Sequence, residues 1–271
     1  MSLLVIGLAV TAVPCTIFVV ARGGQVLVGA NEDFGQVAMT PKHWIQFHPK
    51  KPGEKFGYVA FGFPAYPQFP QAAINEAGLF YDYNALKFKD VGRPGKPPLT
   101  VEALEKVMTQ CRTVKEAVEF MEGYDDFPSS AGQMVLGDAT GDSAIAERHT
   151  STPRKEGDFQ IGTNFRTSET PKDQIVCPRW RACNTELGKG AAVSVESVRA
   201  LCEKVKMSNF GGLTSYTTVC DLKAAKVYLF RAEDFTVAAM IDVPAELKKG
   251  DRRVDMDILM SELGRPYEKG R

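Results

Sequence analysis

Neither sign of charge is in excess in this 271-residue chain, where 33 Lys and Arg offset 33 Asp and Glu for a formal net charge of zero. No basic stripe with interleaved aromatics is present either, which argues against nucleic acid as a partner. Histidine is scarce, three in all. His43 and His48 fall on opposite faces of a strand and off a common helix face, and His149 stands alone, so no metal-ligand set is formed. With so few imidazoles and no G-x-S-x-G, a serine triad lacks support. The phosphate-binding pattern G-x-x-x-x-G-K-[ST] is also missing, and Gly23-Gly24 lies between strand patterns instead of opening a helix. The expectation is a protein without cofactor or metal. Beyond the first 14 residues no apolar run is long enough for a bilayer. Six cysteines (Cys15, Cys111, Cys177, Cys183, Cys202 and Cys220) do not make a dense disulfide framework. Cys177 and Cys183 are spaced to close a small loop in an oxidising compartment. Cys111 and Cys202 sit in helical patterns, where packing is the plainer reading.

What is present begins with a leader. MSLLVIGLAVTAVP carries an apolar run from Leu3 to Val13, too short for a membrane span and long enough for a signal-peptide core. No Lys or Arg precedes the run, and Pro14 replaces the small residue expected at a signal cleavage site. A self-removed propeptide, or a start assigned too far upstream, fits the same facts. Residues 1–14 are therefore read as leader and residues 15–271 as a single domain, since no Pro/Gly/Ser linker divides them. Periplasmic or secreted placement follows if the leader is a signal peptide, cytoplasmic if it is not, with no membrane association after its removal. If the cut falls before Cys15, that residue supplies both a thiol and a free α-amine. The amine has a pKa of about 7.7–8.0 and is itself a base one residue from the thiol. The competing reading is a buried first strand with Cys15 as a small, inert core residue.

After Cys15 the β-branched run Thr16–Ala21, the turn Gly23-Gly24 and the run Gln25–Ala30 predict a β-hairpin ending in an acidic turn, Asn31-Glu32-Asp33-Phe34-Gly35. Further strands are expected at 44–47, 58–63, 78–83, 133–137, 143–147, 159–163, 214–221 and 226–231, with 139–142 as a hairpin turn. Helices are expected from Val101, from the capping box Thr113-Val114-Lys115-Glu116, and over 195–207. Strands, then helices, then strands suggest an α+β layered domain with helices covering sheets. An N-terminal Cys nucleophile further needs a group to position the amine and donors for an oxyanion. Asp33 suits the first need, and Asn side chains with nearby backbone N–H groups suit the second.

The ordered segments Cys15-Thr16, Gly29-Ala30-Asn31-Glu32-Asp33-Phe34, Asn75-Glu76-Ala77-Gly78-Leu79, Gly137-Asp138-Ala139-Thr140-Gly141-Asp142-Ser143 and Gly162-Thr163-Asn164 resemble the choloylglycine hydrolase and penicillin V acylase family. These are linear-amide C–N hydrolases of the N-terminal-nucleophile superfamily. Each segment alone is weak; five in order, from Cys15 to about Phe230, make the resemblance specific. It implies a four-layer αββα sandwich of two stacked antiparallel sheets, with the Cys at the start of a central strand. By motif position it implies Cys15 as nucleophile, Asp33 as the carboxylate orienting the amine, and Asn164 as an amide near the oxyanion. The family's other oxyanion side chain follows the Asn-Glu-x-Gly-Leu segment. Ungapped counting lands on Ala85, so Asn84, one residue earlier, is assigned; a slip of one would flip the side chain to the other face. Asn75 reads as structural.

Two family arginines are missing. One follows the Gly of the second motif, where this chain has Ala30; the other precedes the Thr-rich strand, where it reads Asn209-Phe210-Gly211-Gly212-Leu213-Thr214. Asn31 and Arg166 are the candidates to replace them, and bile-salt or penicillin V specificity is the property their loss puts in question. The aromatic and proline-rich stretch from Phe56 to Pro70 offers either an apolar substrate wall or a packed loop. Two functions remain. One is a cysteine amidase acting on a small-molecule N-acyl amide, with self-association into a homo-oligomer left open. The other is a catalytically silent ligand-binding or structural member of the same fold.

Overall fold

The computed structural model describes residues 15–34, 43–64, 67–89, 95–125, 132–147, 156–209, 212–231 and 234–268. Residues 1–14, read above as a leader, and Gly35, Ala65, Tyr66, His149, Phe210 and Gly211 lie outside them.

The hairpin after Cys15 forms because Gly23 and Gly24 both take positive φ, 59° and 81°, the twist that a two-residue connection between right-twisted strands requires. It joins β1 (Thr16–Arg22) to β2 (Gln25–Phe34) in strict register from Thr16↔Asn31 to Arg22↔Gln25. The expected turn at 31–34 is instead the second half of β2. It stays extended because β11 (Gly212–Asp221) pairs along its far side as far as Phe34. That pairing shifts register between Thr214 and Tyr216. Around this trio the first sheet adds β9 (Phe159–Gly162) beside β1, and β12 (Lys226–Arg231), β13 (Asp234–Asp242) and β15 (Gly264–Pro266) beyond β11, with the short β10 (Ser208–Asn209) also on β11.

The second sheet runs β14 (Arg252–Asp255), β3 (Trp44–His48), β4 (Tyr58–Gly62), β5 (Pro70–Asn75), β6 (Phe80–Ala85), β7 (Gly132–Gly137) and β8 (Ser143–Glu147), every pair antiparallel. The strand expected from Gly78 begins at Phe80. Asn75 Oδ1 accepts the N–H groups of Ala77 and Leu79 and folds the intervening residues into a turn. Gly78 sits there at φ 83°, with Leu222 O only 2.0 Å from where a Cβ would be, so a side chain fits neither its backbone angle nor its space. Asn75 Nδ2 donates to Met108 O and Cys111 O, closing the end of the first helix, a structural role.

Period-2 alternation on both sheets buries one face of each against the other. Ile17, Val19, Val28, Phe47, Val59, Ile74, Phe80, Val135, Val227 and Leu229 fill the gap between them. The outer face of the second sheet is covered by α1 (Val101–Gln110) and α2 (Val114–Met121), that of the first by α3 (Pro178–Gly188) and α4 (Val195–Val205). The result is the expected αββα sandwich. Thr100, Thr113 and Ser194 cap their helices, the latter two in reciprocal boxes. Helix α4 stops two residues short of the expected Met207, whose N–H goes to Thr214 Oγ1. Short helices α5 (Val243–Leu247) and α6 (Met256–Leu263) close one side of the central core. Cys177 and Cys183 are free thiols, the first capping α3 and the second inside it, in place of the expected loop closure. No helix among the described residues is long and apolar enough to cross a membrane.

Candidate active site

Alternation along β1 and β2 decides what surrounds Cys15. Ile17 and Val19 point into the gap between the sheets, and Cys15 is in phase with them; Thr16 and Phe18 point outward toward α3 and α4. On β2, Val28, Ala30 and Glu32 face the gap, whereas Asn31 and Asp33 face the helices. The thiol therefore meets Glu32, with Cys15 Sγ 3.5 Å from Glu32 Oε2, and the backbone N–H of Asp33 also bonds the sulfur. The backbone of Cys15 is handled from the other side.

There Arg179, on α3, gathers the polar groups. Its Nη1 donates to Cys15 O and to Thr16 Oγ1, both at 2.7 Å, and to Asp33 Oδ2 at 3.3 Å; its Nη2 donates to Asn164 Oδ1 at 2.8 Å. Asn164 Oδ1 also accepts the Cys15 backbone N–H at 3.0 Å, while its Nδ2 donates to Ala85 O at 2.8 Å. Asp33 Oδ1 accepts from Thr214 Oγ1 at 2.5 Å, and the same hydroxyl oxygen accepts the Met207 N–H. Three sequence-derived candidates, Cys15, Asp33 and Asn164, thus meet through a fourth residue that carried no motif. Pro178, the first residue of α3, was a helix-start signal; nothing in the sequence marked its neighbour Arg179 as a site residue. The two expected substitutes for the missing arginines make contacts of their own. Asn31 donates to Cys202 O and accepts from Thr217, and Arg166 donates to Lys87 O.

Asn84 falls in phase with Phe80 and Asp82 on the face of β6 that meets the gap, which separates it from Ala85. Its Oδ1 accepts from Gln133 Nε2 at 3.3 Å, and that nitrogen also donates to Thr163 O. Its Nδ2 is fully buried and has no hydrogen-bond partner among the described residues. An unused amide donor in an enclosed site is available to a charge that develops there. Gly162 lets it approach, since a Cβ on that residue would lie 2.6 Å from Asn84 Oδ1 and 2.4 Å from Val135 Cγ2.

The electrostatics are those of a buried, acidic enclosure. Burial pushes the Cys15 thiol well above its ordinary range, and Glu32, Asp33 and Asp82 add to the rise, so the resting group is a thiol that needs a proton acceptor. Burial lifts Asp33 to about 7 against the pull of Thr214 and Arg179. Burial likewise lifts Asp82 to about 7 and raises Glu32 well above the carboxylate range, the Asp82 charge adding to the latter. An aromatic wall stands beside them: Tyr216 opposite Glu32, His43 edge-on to Tyr216 and Phe63, and Phe34 against Phe63 at 4.8 Å. Of the aromatic stretch read as wall or packed loop, Phe61 and Phe63 belong to the central core. Glu32 was visible within its motif, but its importance depended on knowing that it and Asp33 lie on opposite faces of one strand.

Two antiparallel sheets packed between helix layers, with Cys15 at the head of a central strand, make a four-layer αββα sandwich. Among solved structures, this chain is similar to penicillin V acylase from Agrobacterium tumefaciens at 18% identity and a TM-score of 0.65, covering 94% of this chain and 98% of the other. It is similar in the same way to a variant of the conjugated bile acid hydrolase of Clostridium perfringens, at 16% identity, TM-score 0.65 and coverages of 94% and 98%. A second variant of that hydrolase gives 14% identity, TM-score 0.54 and coverages of 94% and 97%. At these identities the likeness is one of fold. No family model matches the sequence, and no curated protein matches it.

Proposed function

We propose that this protein is a cysteine amidase of the choloylglycine hydrolase type, hydrolysing the C–N bond of a small-molecule N-acyl amide through an acyl-enzyme on Cys15. The observation that carries the reading is the convergence on Cys15 from both sides of its strand: sulfur toward Glu32, backbone toward Asn164 and Arg179. In a chain cut before Cys15 the α-amine would take the place of the N–H now held by Asn164 Oδ1. Asp33 would act on it through Arg179 and Asn164. Sulfur attacks the amide carbonyl as the thiol gives up its proton, and the oxyanion is received by Asn84 Nδ2. The protonated α-amine gives a proton to the departing nitrogen, and water then releases the acid, its proton replacing the one the amine gave. The named neighbours, a penicillin V acylase and a conjugated bile acid hydrolase, support amide substrates as a class. Loss of the family arginines favours a silent protein, but Arg179 returns a guanidinium to the neighbourhood of Cys15 from a different element.

Mass spectrometry of the purified protein is expected to show a chain beginning at Cys15. Cys15→Ala is expected to abolish turnover of a panel of N-acyl amino acids, bile-salt conjugates and penicillin V, with the unfolding temperature preserved. An active preparation with Met1 intact would refute the N-terminal mechanism.

A further inference from the structure

Two buried carboxyls face the Cys15 thiol from opposite sheets, and the amine-based chemistry uses neither. Glu32 projects from β2 and Asp82 from β6, both fully enclosed. Burial and the Asp82 charge both raise Glu32 well above the carboxylate range, and two carboxyls enclosed together ionise one at a time. Asp82 Oδ1 is served by the Tyr83 backbone N–H at 2.6 Å and Gln71 Nε2 at 3.5 Å. Asp82 Oδ2 and Glu32 Oε1 meet no further donor among the described residues. The pair is thus one negative charge and one proton, and its remaining oxygen, Glu32 Oε2, accepts from the Cys15 S–H.

We propose that Glu32 receives the proton of the Cys15 thiol as the nucleophile forms, and that Asp82 behind it is a positioning residue that lets the pair accept it. This deepens the amidase reading and rests on it for the reaction, though not for the proton step. The S–H bond breaks, an O–H bond forms at Glu32 Oε2, the proton already on the pair passes to Asp82, and the electron pair stays on sulfur. The cluster starts with one net negative charge and ends with one, now on the thiolate. Sending the proton to water would leave two negative charges together in a buried site, where their repulsion and lost hydration are steep. In the uncut chain Cys15 N belongs to a peptide bond and is no base. Glu32 is in contact with sulfur whether or not the leader is gone. The other ionisable groups acting on the cluster are Asp33 on β2, Tyr216 on β11, Arg231 of β12 through Tyr216, and Arg179 of α3 through Asp33.

The test is the rate at which iodoacetamide alkylates Cys15 in the full chain between about pH 5 and 9, mapped by peptide mass spectrometry, in wild type, Glu32→Gln and Asp82→Asn. A carboxylate that was merely a negative neighbour would oppose the thiolate, so its loss would speed labelling. Loss of a proton acceptor slows it, by about 10²-fold at pH 7. Unchanged or faster labelling of Glu32→Gln at the wild-type unfolding temperature overturns the proposal. Should that variant not fold, Asp82→Asn decides: its labelling profile shifts its midpoint by about half a pH unit or more, and a midpoint that stays in place overturns the proposal. Labelling needs no amide substrate. A chain that passes and hydrolyses no amide counts against the amidase reading alone.

Discussion

Arg179 uses one planar fork to reach four acceptors on three segments of chain: the Cys15 carbonyl, the Thr16 hydroxyl, the Asp33 carboxyl and the Asn164 amide oxygen. An ammonium is a compact charge on a flexible stem and cannot reproduce that spread. Arg179→Met is expected to lower kcat/KM about 10²-fold or more, and Arg179→Lys to restore only part of it. Steady-state kinetics on any amide the wild type cleaves would check this, and full activity of the lysine variant would remove Arg179 from the site. The residue was illegible in the sequence because it belongs to no motif and reaches Cys15 across a separation of 164 positions. Cys15 and Asp33 were legible from the leader and from what an N-terminal thiol needs, Asn164 as a motif member, and Asn84 by counting from a motif. Their partners depended on which face of a strand each occupies, and for Asn84 on a one-residue phase that counting alone left unsettled.

At the level of elements, Gly162 on β9 is what lets the Asn84 amide of β6 and Val135 of β7 lie close against the first sheet. Gly162→Ala would place a methyl against Val135 and the Asn84 amide. We expect about 1–3 kcal/mol of lost stability from overpacking, with a fall in kcat larger than that loss explains, because Asn84 is displaced. Denaturant titration beside kinetics separates the two effects, and activity that merely tracks stability would leave Asn84 a packing residue. At the second helix, Thr113→Ala removes half of a reciprocal cap and should cost about 1 kcal/mol with activity unaffected, as chemical denaturation would report. That cap was read directly from sequence, as was the β1–β2 hairpin from its glycine pair, since both are local signals. By contrast β5, reading Pro-Gln-Ala-Ala-Ile-Asn, carries little β-propensity and is made a strand by neighbours on both sides. Helix α3 has only a weak amphipathic pattern, and it too was missed.

Taken as a whole, the molecule encloses carboxyls that would prefer water, and its stability should register that. Burial lifts Asp33 and Asp82 to about 7 in the folded protein from an ordinary 3.8, and it raises Glu32 as well. Between those values the folded chain holds protons that the unfolded chain has released. The contribution of these groups is therefore fully present below the unfolded pKa and is lost as pH rises toward and through 7. Asp82→Asn should flatten that dependence, so that the variant gains stability relative to wild type at pH 8 compared with pH 5. Guanidinium titrations at both pH values would test it, and an equal pH response in the two proteins would contradict it. The register shift in β11 bears on how such a molecule can vary. Thr214 serves Asp33 on the helix side and Tyr216 faces Glu32 in the gap, although residues two apart on a regular strand share a face. The extra step is Ser215, whose carbonyl is held by Arg231 at 2.7 Å. A strand keeps an odd–even count, and Ser215 is where this one changes parity. Substitutions there leave the count intact, whereas deleting that single residue would exchange inside for outside along half the strand, so the site depends on the length of this segment as much as on any side chain in it.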